Sequence, residues 1–248
     1  MTRHTRVDVE ETARIDAMAE GARPARGGAA AVRGLIFDFD GLLLDTETPA
    51  FESWRRIYAE FGVELPLALW KEALGTAHGF DALAHLRARL GADLDWRAIA
   101  ERRQLLKQEL SASQPLLPGV LTILDEAEAL GLPCAVASSS GREWVYGWLE
   151  RHAILARFVC VRTADDVART KPDPELFLSA AACLGLAPQE CLVFEDSPNG
   201  ILAAHAAGMR CVAVPGAISS QLSLPPAELT LARLDALPLA EILRAVGG

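Results

Sequence analysis

The chain is predicted to be an α/β protein, a parallel sheet covered by helices on both faces, with a helical module inserted after its first strand. Five short apolar runs recur at residues 35–37, 133–137, 158–161, 191–194 and 211–214, with the length and composition of buried strands. Segments with apolar residues at helical spacing separate the last four and precede them, at 120–130, 143–151, 175–184 and 201–207. Alternation of this kind requires parallel strands joined by crossover helices. From about residue 48 to 113 the pattern is instead helical, at 51–61, 80–90 and 96–110, with no strand-like run.

Taken in order, residues 1–30 mix Arg, Glu and Ala and turn Gly-rich between Gly21 and Gly28, without apolar periodicity. They are expected to be a loose tail. The first strand then runs into Phe37-Asp38-Phe39-Asp40-Gly41-Leu42-Leu43-Leu44-Asp45-Thr46. In an extended segment, Asp38 and Asp40 project to one side of the backbone. Two acids at the end of a buried strand are costly, because each charge is desolvated and the two repel. Either a cation sits between them, a hard oxygen-seeking ion such as magnesium suiting carboxylates, or the strand ends in a solvated acidic turn. The helical interval that follows is bordered by Pro49 on one side and by Gln114-Pro115-Leu116-Leu117-Pro118-Gly119 on the other. Such residues interrupt helices and suit connections. The domains are therefore a core of 31–47 plus 115–248 and an inserted module of 48–114, placed to close over the strand ends or to stand fixed beside them.

The later strands also end in polar clusters. Ser138-Ser139-Ser140-Gly141 follows the run at 133–137 and opens a helix, so it is suited to an anion or to plain helix capping. Lys171-Pro172-Asp173-Pro174 sets a cation before a proline turn that can start the helix at 175–184. Read alone, Lys171 could equally be a solvated charge. The run at 191–194 leads into Glu195-Asp196-Ser197-Pro198-Asn199-Gly200, a second acid pair at a strand end. Ligands of open parallel sheets collect at the carboxyl ends of strands, where all these clusters fall.

At 248 residues and 51% hydrophobic, the chain can bury a large core. No apolar run approaches bilayer-spanning length and the first thirty residues lack a signal-peptide apolar stretch, so a cytoplasmic protein without membrane contact is expected. A net charge of −9 with no basic stripe argues against nucleic acid. Cys134, Cys160, Cys183, Cys191 and Cys211 lie far apart with no CxxC pair, and read as reduced structural thiols rather than metal ligands. Trp54, Trp70, Trp96, Trp144 and Trp148 read as packing residues, in the core or at the interface with the helical insertion. His85, His152 and His205 fall in helical patterns and read as surface or core residues.

The order acid pair, serine, lysine, acid pair, with DxDGxxxDT at Asp38 to Thr46, resembles the haloacid dehalogenase superfamily of phosphotransferases across nearly all of residues 32–215. Within it, the chain is similar to the branch holding beta-phosphoglucomutase, phosphoglycolate phosphatase and small sugar-phosphate phosphatases. That resemblance implies a Rossmann-like core with a helical cap. It also implies Asp38 as the nucleophile on phosphorus and Asp40 as general acid and base. Ser138, amides near Ser139, and Lys171 would hold the transferring phosphoryl group. Magnesium would lie on the Asp38 and Asp196 carboxylates and the Asp40 backbone carbonyl, with Glu195 a ligand or close beside one. His78 falls near the cap's specificity loop and would either touch substrate or stand solvated. The implied enzyme is a monomeric phosphatase acting on a small phosphorylated metabolite. Two alternatives remain, a phosphomutase and a non-catalytic binding module that kept the fold. Beta-phosphoglucomutases carry a histidine after the Asp-Thr pair and an arginine in the cap loop. Pro49 or Ala50 and His78 stand there in this chain, which favours the phosphatase over the mutase. The presence of Asp38, Asp40, Lys171 and Asp196 disfavours the binding module.

Overall fold

In the computed structural model, which describes residues 30–70, 80–91 and 93–247, strands β1 (Gly34–Phe37), β2 (Cys134–Ala137), β3 (Cys160–Arg162), β4 (Cys191–Glu195), β5 (Arg210–Ala213) and β6 (Leu229–Thr230) form one sheet. Its order is β3-β2-β1-β4-β5-β6, and every neighbouring pair is parallel. The chain builds outward from β1 to β3 in one direction, then from β4 to β6 in the other. The reversal opens a crevice at the carboxyl ends of β1 and β4. The first five strands lie on the apolar runs, the third displaced by about two residues. Strand β6 lies outside the sequence-based assignment because two residues are too few to show a period.

Period two in β1 decides which helices cover which face. Leu35 and Phe37 share a buried cluster with Val136, Leu192 and Phe194. To it α5 (Val120–Ala129), α6 (Arg142–Arg151) and α9 (Leu239–Gly247) contribute Ile123, Leu149 and Ile242. Ile36 points the other way, into a cluster with Ala135, Val193 and Cys211, where α7 (Glu175–Leu184) and α8 (Pro198–Ala206) add Phe177 and Ile201. Full burial of a side chain such as Phe177 is worth about 1.5–3 kcal/mol. Phe37 stacks on Phe194, ring centroids 5.0 Å apart. This locks β1 to β4 one residue before the acids begin. The helix α9 is also absent from the sequence-based assignment, although its buried Leu239, Ile242 and Val246 stand at helical spacing.

Between β1 and α5 lie α1 (Glu47–Glu60), short α2 (Leu67–Trp70), α3 (Ala82–Leu90) and α4 (Trp96–Ala112), with no strand among the described residues. They own a separate apolar cluster built on Trp54, Ile57, Tyr58, Trp70, Leu86 and Trp96. Tyr58 satisfies its buried hydroxyl by donating to the Ala82 carbonyl at 2.7 Å. Pro49, expected to break the chain at the border, lies inside the first turn of α1. A proline is tolerated there because its missing N–H would have had no partner. The Asp45 carboxylate meanwhile accepts from the Thr48 amide at 2.9 Å. Outgoing and returning chains run side by side: Leu44 pairs with Leu116, and the Leu117 amide donates to the Leu43 carbonyl at 3.0 Å.

The cysteine reading is corrected in one respect. Cys160 and Cys183 are joined in a disulfide, Cα atoms 6.7 Å apart, while Cys134, Cys191 and Cys211 are buried thiols. Packing of α7 against the outer strand β3 brings the pair together, and a separation of 23 residues gives no local sign of it. The expected tail lies almost wholly outside the described residues. No described helix is long and apolar enough to cross a membrane.

Candidate active site

Because Phe37 and Phe194 are in register, the next residues emerge level with one another. The Asp38 amide donates to the Phe194 carbonyl at 3.0 Å. Asp38 therefore stands beside Glu195 and Asp196, and one carboxylate oxygen from each lies within 4.8 Å of the others. All three are buried, Glu195 completely. Lys171, 8% exposed, reaches in from the loop before α7. Its Nζ donates to Asp38 Oδ1 at 2.5 Å and to Glu195 Oε1 at 2.6 Å. Glu195 Oε2 accepts from the Ser197 amide at 2.8 Å and from Ser197 Oγ at 3.0 Å. Asp196 Oδ2 accepts from Ser219 Oγ at 2.8 Å.

One ammonium cannot balance three buried carboxylates. Burial pushes the Asp38 carboxyl up to about 8 even against the pull of Lys171, and Glu195 and Asp40 add to the rise. Burial, with Glu195 and Asp38 beside it, lifts Asp196 well above the carboxylate range. For Lys171, burial works against the charge, but Asp38 and Glu195 outweigh it and hold the ammonium above its ordinary value. Divalent cations take carboxylate oxygens, and this surplus of buried negative charge is what such a cation would neutralise. The residues fit magnesium. Glu195 has both oxygens engaged by Lys171 and Ser197, so its immediate work is to hold the lysine.

Two glycines make room for these acids. Gly41 has φ +82°, and a Cβ there would collide with the Asp196 carboxylate. At Gly200 a Cβ would overlap the Glu195 carboxylate, while the Gly200 amide donates to Ser197 Oγ at 3.1 Å and so caps α8. Gly200→Ala is expected to cost about 1–3 kcal/mol and to lower activity by displacing Glu195, read by urea unfolding and turnover. Unchanged stability would mean that the loop yields freely.

Asp40 lies across the crevice. Its Oδ2 accepts from Ser138 Oγ at 3.1 Å and Ser140 Oγ at 2.7 Å, and its Oδ1 from Trp144 Nε1 at 3.0 Å. Trp144, read from sequence as packing, is a hydrogen-bonding residue of the site. Ser138 is fully buried beneath the surface, its Oγ also accepting from the Ser140 amide at 3.0 Å. A cavity of about 390 Å³ is lined by Asp38, Asp40, Ser139, Ser140, Lys171 and Asp196, with Thr46, Glu47 and Lys107 among its other walls. Glu47 opens α1 and Lys107 belongs to α4, so the helical stretch reaches the cavity. Burial, with Asp40 nearby, pushes the Glu47 carboxyl up to about 7 against the pull of Lys107. Burial holds the Lys107 ammonium below its usual value.

The structure thus brings Asp38, Asp40, Ser138, Ser139, Lys171, Glu195 and Asp196 to one crevice. His78 lies outside the described residues. Sequence reasoning missed Glu47, Lys107, Trp144 and Ser219, and named Ser140 only within the serine cluster. Lys107 and Ser219 had no local signal, because other elements bring them in.

The family model described as haloacid dehalogenase-like hydrolase matches residues 35–214. The Bacillus subtilis (strain 168) protein named "Putative phosphatase YhcW" is 41% identical over 212 residues, 86% of this chain and 96% of the relative. Hexitol phosphatase A of Escherichia coli (strain K12) is 32% identical over 184 residues, 73% of this chain and 82% of the relative. Among solved structures, CbbY from Rhodobacter sphaeroides in complex with xylulose-(1,5)bisphosphate superposes with a TM-score of 0.67 at 25% identity, covering 82% of this chain and 95% of that one.

Proposed function

Because the chain belongs to the haloacid dehalogenase-like hydrolases and is an enzyme of their phosphatase type, we propose that it is a magnesium-dependent phosphomonoesterase that cleaves a small phosphorylated metabolite, such as a sugar phosphate, through a phosphoaspartate at Asp38. The observation that carries this is the contact of Asp38 with Lys171 inside a group of acids that fits a cation, with Asp40 lining the same cavity.

In this reading Asp38 attacks phosphorus and the ester P–O bond breaks. The leaving alkoxide takes a proton from Asp40. Water then attacks the phosphoaspartate, gives its proton to Asp40, and inorganic phosphate departs. Lys171 offsets charge on both the nucleophile and the phosphoryl group, while amides near Ser139 bind phosphoryl oxygens and Ser138, its hydroxyl donated to Asp40, supports that turn from beneath. Magnesium would be held by the Asp38 and Asp196 carboxylates and the Asp40 carbonyl, and when bound it supplies positive charge to the phosphoryl group. Glu195 supports that set through Lys171.

Residues 48–114 act as a cap that limits the substrate. A cavity of about 390 Å³ sits at the small end of ligand sites and suits a metabolite rather than a polymer. The names of the hexitol phosphatase and of the CbbY complex point the same way. The enzyme works as a cytoplasmic monomer.

The test is phosphate release by purified protein from a panel of sugar and acid phosphates, with magnesium and with EDTA. Release that EDTA abolishes and magnesium restores is expected. Isomerised product without release would identify a mutase. No reaction across a broad panel would favour a binding module and end the proposal.

A further inference from the structure

The acid–base group assigned above is held by three side-chain donors, and this inference rests on that phosphatase reading. We propose that Trp144 is the positioning residue for Asp40, and that Lys107, carried on α4, holds the indole in place, so that the helical module helps to seat the acid–base carboxyl of the sheet domain.

The contacts supply the reasons. Among the described residues, every hydrogen-bond partner of Asp40's carboxyl is a donor: two serine hydroxyls on Oδ2 and one indole N–H on Oδ1. Donors on one oxygen alone would leave the carboxyl plane free to rotate. The indole, reaching the other oxygen from α6, fixes that plane. Oδ2 carries two donors and has both lone pairs engaged, whereas Oδ1 carries one and keeps a lone pair for proton transfer in the cavity that Asp40 lines. An indole N–H donates only, so Trp144 can orient the carboxyl without taking its proton.

The indole is itself held, from α4 and from within its own helix. Lys107 Nζ lies 4.6 Å from the Trp144 ring centroid, in cation–π range, and Trp148 packs against the ring edge-on at 5.5 Å. A chain of contacts therefore runs from α4 through Lys107 and Trp144 to Asp40. A displacement of α4 that lifted Lys107 would loosen the indole.

A leaving-group comparison tests this. An alkoxide must be protonated as it departs, whereas p-nitrophenolate leaves without help, and kcat/KM reports steps up to ester cleavage. Trp144→Phe keeps a ring and removes the donor. It is expected to lower kcat/KM about tenfold or more on a sugar phosphate that the wild type hydrolyses, and kcat/KM on p-nitrophenyl phosphate by a much smaller factor, while a thermal melt reports the fold. Lys107→Met should give a smaller loss of the same selectivity, about two- to fivefold, and should add nothing further in the Trp144→Phe background. Equal losses on both substrates, or none on either, would overturn the role of Trp144. Additive losses in the double variant would place Lys107 on the substrate instead and overturn its part. If the wild type hydrolyses no sugar phosphate of the panel and no p-nitrophenyl phosphate, the phosphatase reading itself falls and this inference with it.

Discussion

Asp38→Asn is expected to abolish phosphoester hydrolysis, lowering kcat by at least about 10⁴-fold, while the protein stays folded. The amide matches the carboxylate in size but is too weak a nucleophile to attack phosphorus. The fold should tolerate it for an electrostatic reason. Three buried carboxylates face one ammonium, and burial pushes the Asp38 carboxyl up to about 8, so its charge is held at a cost in the metal-free protein. The variant removes that charge and leaves Lys171 paired with Glu195 at 2.6 Å. Phosphate release measures the activity, and a thermal melt measures the fold. Rapid acid quench of the wild type with labelled substrate should trap label on the protein, and the variant should trap none. Retained turnover would remove Asp38 from the nucleophile role.

Lys171→Met is expected to damage both stability and activity. The lysine is buried with its ammonium against Asp38 and Glu195. Methionine fills a similar volume but leaves both carboxylates uncompensated, and breaking a buried pair from one side costs about 3–5 kcal/mol. In a chain of this size that is a fall of roughly 10 °C in Tm. Turnover should be lost with it, because the charge opposing the phosphoryl group is gone. Magnesium should restore part of the stability and none of the turnover. A variant as stable as wild type in EDTA would refute the account of the lysine as the counter-charge of the acids.

The pattern of what was legible follows from the range of each interaction. Asp38 and Asp40 stood out because a buried strand has no structural use for two acids at its end, and Glu195-Asp196 repeated the anomaly. Ser138 and Lys171 acquired meaning only from the order of motifs, since a serine at a helix start and a lysine before a proline are common. The helical interval was visible from its period, yet Pro49 was misplaced as a boundary because the first turn of a helix accepts proline without penalty. Trp144 was read as a core or cap-interface residue, and it does meet Lys107 of the helical stretch, but its N–H serves the site as well.

By itself, the sequence determined the alternation of strand and helix, the inserted helical stretch and the acids that mark the strand ends, because each is written in neighbouring residues by hydrophobic period and by charge where none should be buried. The tertiary structure decided which distant groups meet. Lys171 reaches Asp38 across 133 positions, Trp144 reaches Asp40 across 104, and Cys160 finds Cys183. Those pairings depend on the order of strands in the sheet and on which face each helix covers, and no local pattern encodes them. The register of Phe37 with Phe194 sets the acids side by side, and the charge they concentrate there is what makes the crevice a site.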